Sequence, residues 1–352
     1  MRIGLDVGPL LDPPTGVGRY TREIAGGLEV QGETVVRWAV SLRGAPVTGV
    51  ARWRAPARLV RSSWRRLGGP SIERLVGAVD VVHATNFVLP ALRDTPGVVT
   101  VHDMSFIRDD VFPGGKSLRD LVPWSVRRAA RVIVPTEAIA AEVGARMGVP
   151  GSRIDVTPEG VSDTFFGAQP LADGALAHMG IRRPFVLAVG TLEPRKNLAR
   201  LVEAWGRVRD RLPGWTLVIA GPPGWGPGLP ETQGVGLTGW VGDETLPGLF
   251  AASELFCYPS MYEGFGLPPL EAMATGTPAL VGRYTAAPEV LGDAALLVDP
   301  TDVASLAEGL LALATEEPLR RRLAAAGKAR AASFTWSRTV TTTIASYKAA
   351  LG

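Results

Sequence analysis

Cysteine occurs once in this chain, at Cys257, and histidine three times, at His83, His102 and His178. One thiol cannot build a disulfide framework, and so few histidines beside it leave no Cys/His zinc site. Cys257 falls in the apolar run Leu255-Phe-Cys-Tyr-Pro259, where it reads as a small buried hydrophobe. No apolar run approaches the roughly 20 residues of a membrane-spanning helix. The opening Met1-Arg-Ile-Gly-Leu-Asp-Val-Gly-Pro9 is broken too soon for a signal peptide, so the expected location is cytoplasmic. A dominant charge is missing as well. Lys and Arg number 37 against 34 acids, a net charge of +3, which marks no general nucleic-acid binder.

What is present is a 352-residue chain with 46% hydrophobic and 20% charged residues, a globular balance with room for two domains. Its most informative stretch is Ser260-Met-Tyr-Glu263-Gly-Phe-Gly-Leu-Pro-Pro-Leu-Glu271-Ala-Met-Ala-Thr-Gly276. The preceding apolar run reads as a buried parallel strand. Pro268 and Pro269 suit the first turn of a helix, and Gly276 suits its end. Gly264 and Gly266 leave the backbone bare where helix N–H groups and the macrodipole attract an anion. Glu263 and Glu271, eight residues apart, are then either surface charges or acceptors for sugar and ribose hydroxyls. The strand–turn–helix context favours the second reading.

A second signal is Gly190-Thr-Leu-Glu-Pro-Arg195-Lys196-Asn197-Leu198, after a strand over Phe185 to Val189. Asn197 is the expected N-cap of a helix running through Trp205. Arg195 and Lys196 would then add positive charge to the positive end of a helix dipole. A diphosphate bound between them would reverse that penalty. In the first half, Arg2 to Val7 reads as a strand, Gly8 to Gly18 as a Gly/Pro loop, and Arg19 onward as a helix. Gly16-Val-Gly18 lacks the third glycine of a dinucleotide fingerprint, so it is a plain turn or a ligand loop. Asp80-Val-Val-His83 and Gly97-Val-Val-Thr-Val-His102-Asp103 are strand ends bearing polar residues, where open parallel sheets place ligands.

Between them lies Arg52 to Arg66, with six arginines and no acid. A helix from Pro56 would set Val60, Trp64 and Leu67 on one side and Arg58, Arg61 and Arg65 on another. It fits either a peripheral membrane contact or a solvated helix whose Trp packs on its own domain. Residues near 167 to 182 read as a linker.

The Glu263/Glu271 stretch, the Arg195-Lys196 pair and Val101-His-Asp-Met-Ser-Phe106 together resemble glycosyltransferase family 4, among the retaining GT-B glycosyltransferases. The resemblance is strongest from 180 to 300 and weak in the first 80 residues. It implies an α/β fold of two doubly wound Rossmann-like domains facing each other across a cleft. Residues 1–166 would form the acceptor side, 183–335 the donor side, and a last helix 337–352 would return to the first. The donor would be a nucleotide-diphosphate sugar, with GDP-mannose the leading choice, and no further cofactor or metal is implied. The acceptor would be a glycan or lipid-linked hydroxyl.

By the same resemblance His102, Arg195, Lys196 and Glu263 act on the reacting sugar and its diphosphate. Gly16, Gly18, Gly190, Val241, Gly264, Phe265, Gly266, Leu267 and Glu271 contact the donor, with Glu271 on the ribose. Where Glu159 stands the family usually has Asn, and no role is assigned to it. No Asp-x-Asp occurs, which disfavours the metal-dependent GT-A class. A sugar-nucleotide epimerase of the same architecture and a non-catalytic nucleotide-sugar binder remain as alternatives.

Overall fold

The structure is a computed structural model that describes residues 1–11, 15–42, 48–108, 115–225, 228–283 and 286–352. Residues 12–14 of the first Gly/Pro loop, and Gly226 and Pro227 of the loop after Ala220, lie outside the described residues. The chain forms two units, one from Met1–Gly160 with Trp336–Gly352, the other from Val161–Thr335.

The first unit is built on β1 (Arg2–Asp6), β2 (Thr34–Val40), β3 (Val50–Trp53), β4 (Val81–Ala84), β5 (Gly97–Thr100), β6 (Arg131–Val134) and β7 (Ile154–Val156). They pair in the order β3-β2-β1-β4-β5-β6-β7, every pairing parallel. The second unit has β8 (Phe185–Val189), β9 (Thr216–Ala220), β10 (Val235–Gly239), β11 (Leu255–Tyr258), β12 (Ala279–Gly282) and β13 (Leu296–Val298). Their order is β10-β9-β8-β11-β12-β13, again parallel. Both are doubly wound Rossmann-like sheets of the GT-B type. In each the strand order reverses beside the first strand, and ligands bind such sheets at that switch point, beyond the strand C-termini.

The apolar runs explain the sheets. Val186 and Ala188, Leu217 and Ile219, and Leu255 and Cys257 alternate onto one face, against Leu201 and Trp205 of the Leu198–Val208 helix and Leu306 and Leu310 of the Val303–Thr315 helix. Their neighbours Phe185, Leu187 and Phe256 are equally buried on the other face, as a sheet covered on both sides requires. Gly221 takes φ of +159° where two loops close up, and a Cβ there would stand 2.0 Å from the carbonyl oxygen of Gly190.

Several local expectations change. The first helix is Gly16–Val30, three residues earlier than the periodicity suggested, because the Thr15 side chain caps it by accepting from Gly18 N at 3.1 Å. The stretch read as a linker carries short helices at Asp163–Phe166 and Asp173–His178. The basic segment forms the Ala57–Leu67 helix, but Trp64 is buried, edge-on to Trp38 at 6.5 Å, and its indole N–H donates to Pro70 O at 2.9 Å. Trp53 packs against the same cluster. The Trp64 ring is not available as a headgroup anchor, and Trp53 is half-buried. Arg65 is paired with Asp120 at 2.5 Å, and Leu67, expected to pack beside Trp64, is 81% exposed. The Trp336–Leu351 helix belongs to the first unit, where Tyr347 hydrogen-bonds His83 at 2.7 Å.

Candidate active site

β8 and β11 are neighbours at the switch point of the second unit, so the loops that follow them are brought together. The first loop carries Arg195 and Lys196, the second Glu263. Glu263 Oε2 accepts from Arg195 Nη1 at 2.5 Å, and Oε1 accepts from Lys196 Nζ at 2.7 Å. Glu193 adds a second carboxylate, 2.6 Å from Arg195 Nε. Lys196 Nζ also donates to the Tyr258 hydroxyl at 2.5 Å and lies over that ring. Met261 N donates to Arg195 O at 2.8 Å, which stitches the loops along their backbones.

The cations do not begin the helix in the expected way. They sit in a short 3-10 turn, Pro194–Lys196, and Asn197 then takes the left-handed region at φ +58° before Leu198–Val208 starts. Asn197 makes no side-chain cap. Its amide donates to Pro259 O at 3.1 Å and Pro300 O at 2.7 Å, tying three loops at one point. The electrostatic conflict read from the sequence is therefore relieved in part within the fold. Two carboxylates balance two cations, and a diphosphate would compete with Glu263 for a preformed cationic pair.

Burial resists ionisation of Glu263, but the charges of Arg195 and Lys196 prevail and hold its carboxyl at about 2. Burial pulls the Lys196 ammonium below its ordinary value, against the opposing pull of Glu263. Since the Glu263 pKa is lower folded than unfolded, its contribution to stability is full above about 4.5 and is lost as pH falls through about 2. Thermal melts of wild type should show this loss across that window. Glu263→Gln should melt lower at neutral pH and lack that part of the acid dependence; an unchanged acid limb would contradict the ion cluster.

The second loop continues into the Leu267–Thr275 helix, whose cap Gly266 has φ +95° and whose last residue is followed by Gly276 at +86°. Pro268 and Pro269 fill its first turn and carry no N–H, so Gly266 and Leu267 supply the backbone donors there. Phe265 turns its ring inward, edge-on to Phe334 at 5.6 Å, and the Leu267 side chain is buried, so either could meet a ligand only through its backbone. Gly264 is buried beside them. Glu271 is buried in the second turn of the helix. Gly190 follows β8 with φ +155°, its Cα against the Lys196 stem. Val241 follows the edge strand β10 on the same C-terminal side of the sheet.

In the first unit His102 follows β5 and is buried between Tyr20 and Phe87, both edge-on, at 4.8 and 5.9 Å. Its Nε2 donates to Thr85 O at 2.8 Å, and Nδ1 faces Glu159 Oε1 at 3.3 Å. Gly16 and Gly18 lie in the first turn of their helix rather than in a loop, and a Cβ on Gly18 would stand 3.2 Å from Pro9 O.

Residues 14–165 match the family model described as Glycosyltransferase Family 4, and 180–330 the one described as Glycosyl transferases group 1. The O-antigen chain mannosyltransferase B of Escherichia coli is 33% identical over 293 residues, 76% of this chain and 74% of the relative. The chain belongs to glycosyltransferase family 4. A D-inositol 3-phosphate glycosyltransferase of Kribbella flavida is 31% identical and spans 97% of this glycosyltransferase and 88% of its own length. In fold the enzyme resembles a sucrose-phosphate synthase from Thermosynechococcus elongatus (TM-score 0.78, 20% identity, 99% and 98% of the two chains). It also resembles WaaG, a glycosyltransferase involved in lipopolysaccharide biosynthesis (TM-score 0.73, 17% identity, 98% of each).

Sequence reasoning located the cations and the two glutamates of this glycosyltransferase but missed their supports. Glu193 stood in plain view two residues before Arg195, while Tyr258 looked like one more apolar strand residue. Glu159 was set aside as a departure from the family pattern, yet it is the carboxylate against His102. Among the described residues, no helix is long and apolar enough to cross a membrane.

Proposed function

We propose that this enzyme transfers a hexose from a nucleotide-diphosphate sugar to a hydroxyl of a glycan or lipid-linked acceptor, with retention of configuration and without a metal ion. The observation that carries the reading is the preformed Arg195–Lys196–Glu263 cluster at the switch point of the second unit. Glycosyl transfer is limited by the departing diphosphate and the oxocarbenium-like sugar. Two cations held by carboxylates and by Tyr258 need no reorganisation as charge grows on the leaving group. Glu263 thereby acts first by fixing those cations, and offers sugar hydroxyls only its remaining lone pairs. Glu271 holds the ribose, and the backbone from Gly264 to Leu267 meets the sugar. Gly190 and Val241, beyond the C-terminal ends of β8 and β10, are assigned to the same donor in this reading. Mannose is the favoured sugar, because curated relatives include mannosyltransferases, and GDP-mannose the favoured donor; rhamnose is second.

The test is incubation with a panel of sugar nucleotides, with and without excess EDTA. Transfer, or slow release of the nucleoside diphosphate, should be greatest with GDP-mannose and survive EDTA. Epimer formation would favour the isomerase alternative, and binding without turnover the sensor. Loss in EDTA restored by Mg²⁺ or Mn²⁺ would overturn the account of the leaving group.

A peripheral membrane contact is the second reading, and one observation favours it. Leu59 and Leu67 are 65% and 81% exposed on the same helix as the exposed Arg58 and Arg66. Such arginines gain about 1 kcal/mol each near an anionic leaflet, and salt weakens the attraction. The protein should pellet with anionic but not neutral vesicles, and a variant with Arg58→Gln, Arg66→Gln and Leu59→Ser should be released. Equal behaviour of the two proteins would leave an ordinary solvated helix.

A further inference from the structure

A lysine ammonium carries three N–H bonds and accepts none, so its partners decide where each bond points. Among the described residues Lys196 has two. Nζ donates to Glu263 Oε1 at 2.7 Å and to the Tyr258 hydroxyl at 2.5 Å. Two occupied directions leave the third N–H a single direction to take. That third bond is the one with which Lys196 can meet a phosphate oxygen. The two partners differ in kind. Glu263 is a charge that it shares with Arg195, whereas the Tyr258 hydroxyl is neutral.

Tyr258 offers a fixed point. It is the last residue of β11, a strand paired with β8 on one side and β12 on the other, and it is 4% exposed. Its ring stacks on Phe256 at 5.9 Å. Burial holds the phenol well above its ordinary range, so it stays neutral and meets Lys196 as a hydrogen-bond acceptor. Four ionisable groups face the ammonium: Arg195 and Glu193 from its own turn, Glu263 from the loop after β11, and Tyr258 from the strand. Burial and Arg195 pull the ammonium towards losing its proton, while Glu263 and Glu193 oppose them. A hydrogen bond accepted from the charged form favours that form, which puts the Tyr258 hydroxyl on the side of the two glutamates.

We propose that Tyr258 is a positioning residue whose hydroxyl directs the remaining N–H of Lys196 to the departing diphosphate and keeps the ammonium charged. The inference rests on the proposed glycosyl transfer and deepens it. Lys196 meets the leaving group most strongly once charge has grown there, so an ammonium that points elsewhere costs kcat more than donor KM. Losing the acceptor also disfavours the charged form. The folded pKa of Lys196 then falls, and activity is lost at a lower pH on the alkaline side.

The experiment uses Tyr258→Phe, which removes the oxygen and keeps the ring on Phe256, alone and together with Lys196→Ala. With the best sugar nucleotide of the panel, Tyr258→Phe should lose roughly tenfold or more in kcat, the scale of one hydrogen bond to a charged group, with donor KM little changed. The alkaline limb of its kcat profile should move to lower pH. The double variant should turn over no more slowly than Lys196→Ala, because a residue that acts through Lys196 has nothing left to act on. GDP binding by titration calorimetry, from neutral to alkaline pH, reads the same limb without turnover. Melts of each variant set a working temperature at which all are folded. The inference is overturned if Tyr258→Phe keeps the wild-type rate and alkaline limb. It is equally overturned if the substitution slows Lys196→Ala by the factor with which it slows wild type, as a purely structural residue would. In both cases wild-type transfer leaves the proposed function standing, whereas a wild type that neither turns over any sugar nucleotide nor binds GDP sinks the two together.

Discussion

Lys196→Ala should fold as the wild type does and lose about a hundredfold or more in kcat. The side chain is 12% exposed, with its ammonium held by Glu263 at 2.7 Å and by the Tyr258 hydroxyl at 2.5 Å. A charge fixed in this way costs nothing to orient when the diphosphate leaves, and losing one such contact typically costs a factor of 10²–10³. Folding should survive because Glu263 keeps Arg195 at 2.5 Å, so no carboxylate is stranded. Donor saturation kinetics and a thermal melt on the same preparation check both halves of the expectation. A variant that melts normally and turns over at the wild-type rate would remove Lys196 from the leaving-group site.

Glu271→Ala should act on the other kinetic parameter, raising the donor KM by roughly ten- to a hundredfold with kcat nearly kept. Ribose contacts are made equally in the ground state and the transition state, so their loss is uniform binding lost. Glu271 is buried, and truncating it also opens space in the Leu267–Thr275 helix, so stability must be read beside the kinetics. The sharper readout is a donor whose ribose lacks a hydroxyl. Wild type should bind it worse than the parent, while the variant should barely distinguish them. A fall in kcat alone, with donor affinity intact, would contradict the ribose assignment.

The sequence was most legible where local chemistry decides the backbone. Pro268, Pro269 and Gly276 place the Leu267–Thr275 helix to within a residue. It was least legible where the decisive neighbour is distant in the chain. The contact between Lys196 and Glu263 spans 67 residues and exists because β8 lies beside β11, an order that no periodicity encodes. Asn197 is instructive in the same way. Its residue type suits a cap, but a residue tolerant of left-handed backbone was used for that tolerance, and its amide went to two distant carbonyls. Trp64 in an arginine-rich helix looked equally suited to a lipid surface or to its own domain. Only the position of Trp38 and the carbonyl of Pro70 decide for the domain.

The return of Trp336–Leu351 to the first unit also has a bearing on how the polypeptide is made. Because Val161–Thr335 is inserted between the two pieces of that unit, a ribosome must deliver the whole insertion before the missing piece appears. At about 5–20 residues per second, that is an interval of roughly ten to thirty seconds. Throughout it His83 waits without Tyr347, and the surface that the last helix will cover stands open to chaperones and to neighbouring nascent chains. The Val161–Thr335 unit can complete its own core in that time, so assembly on the ribosome runs out of sequence order: the second unit first, the first unit last.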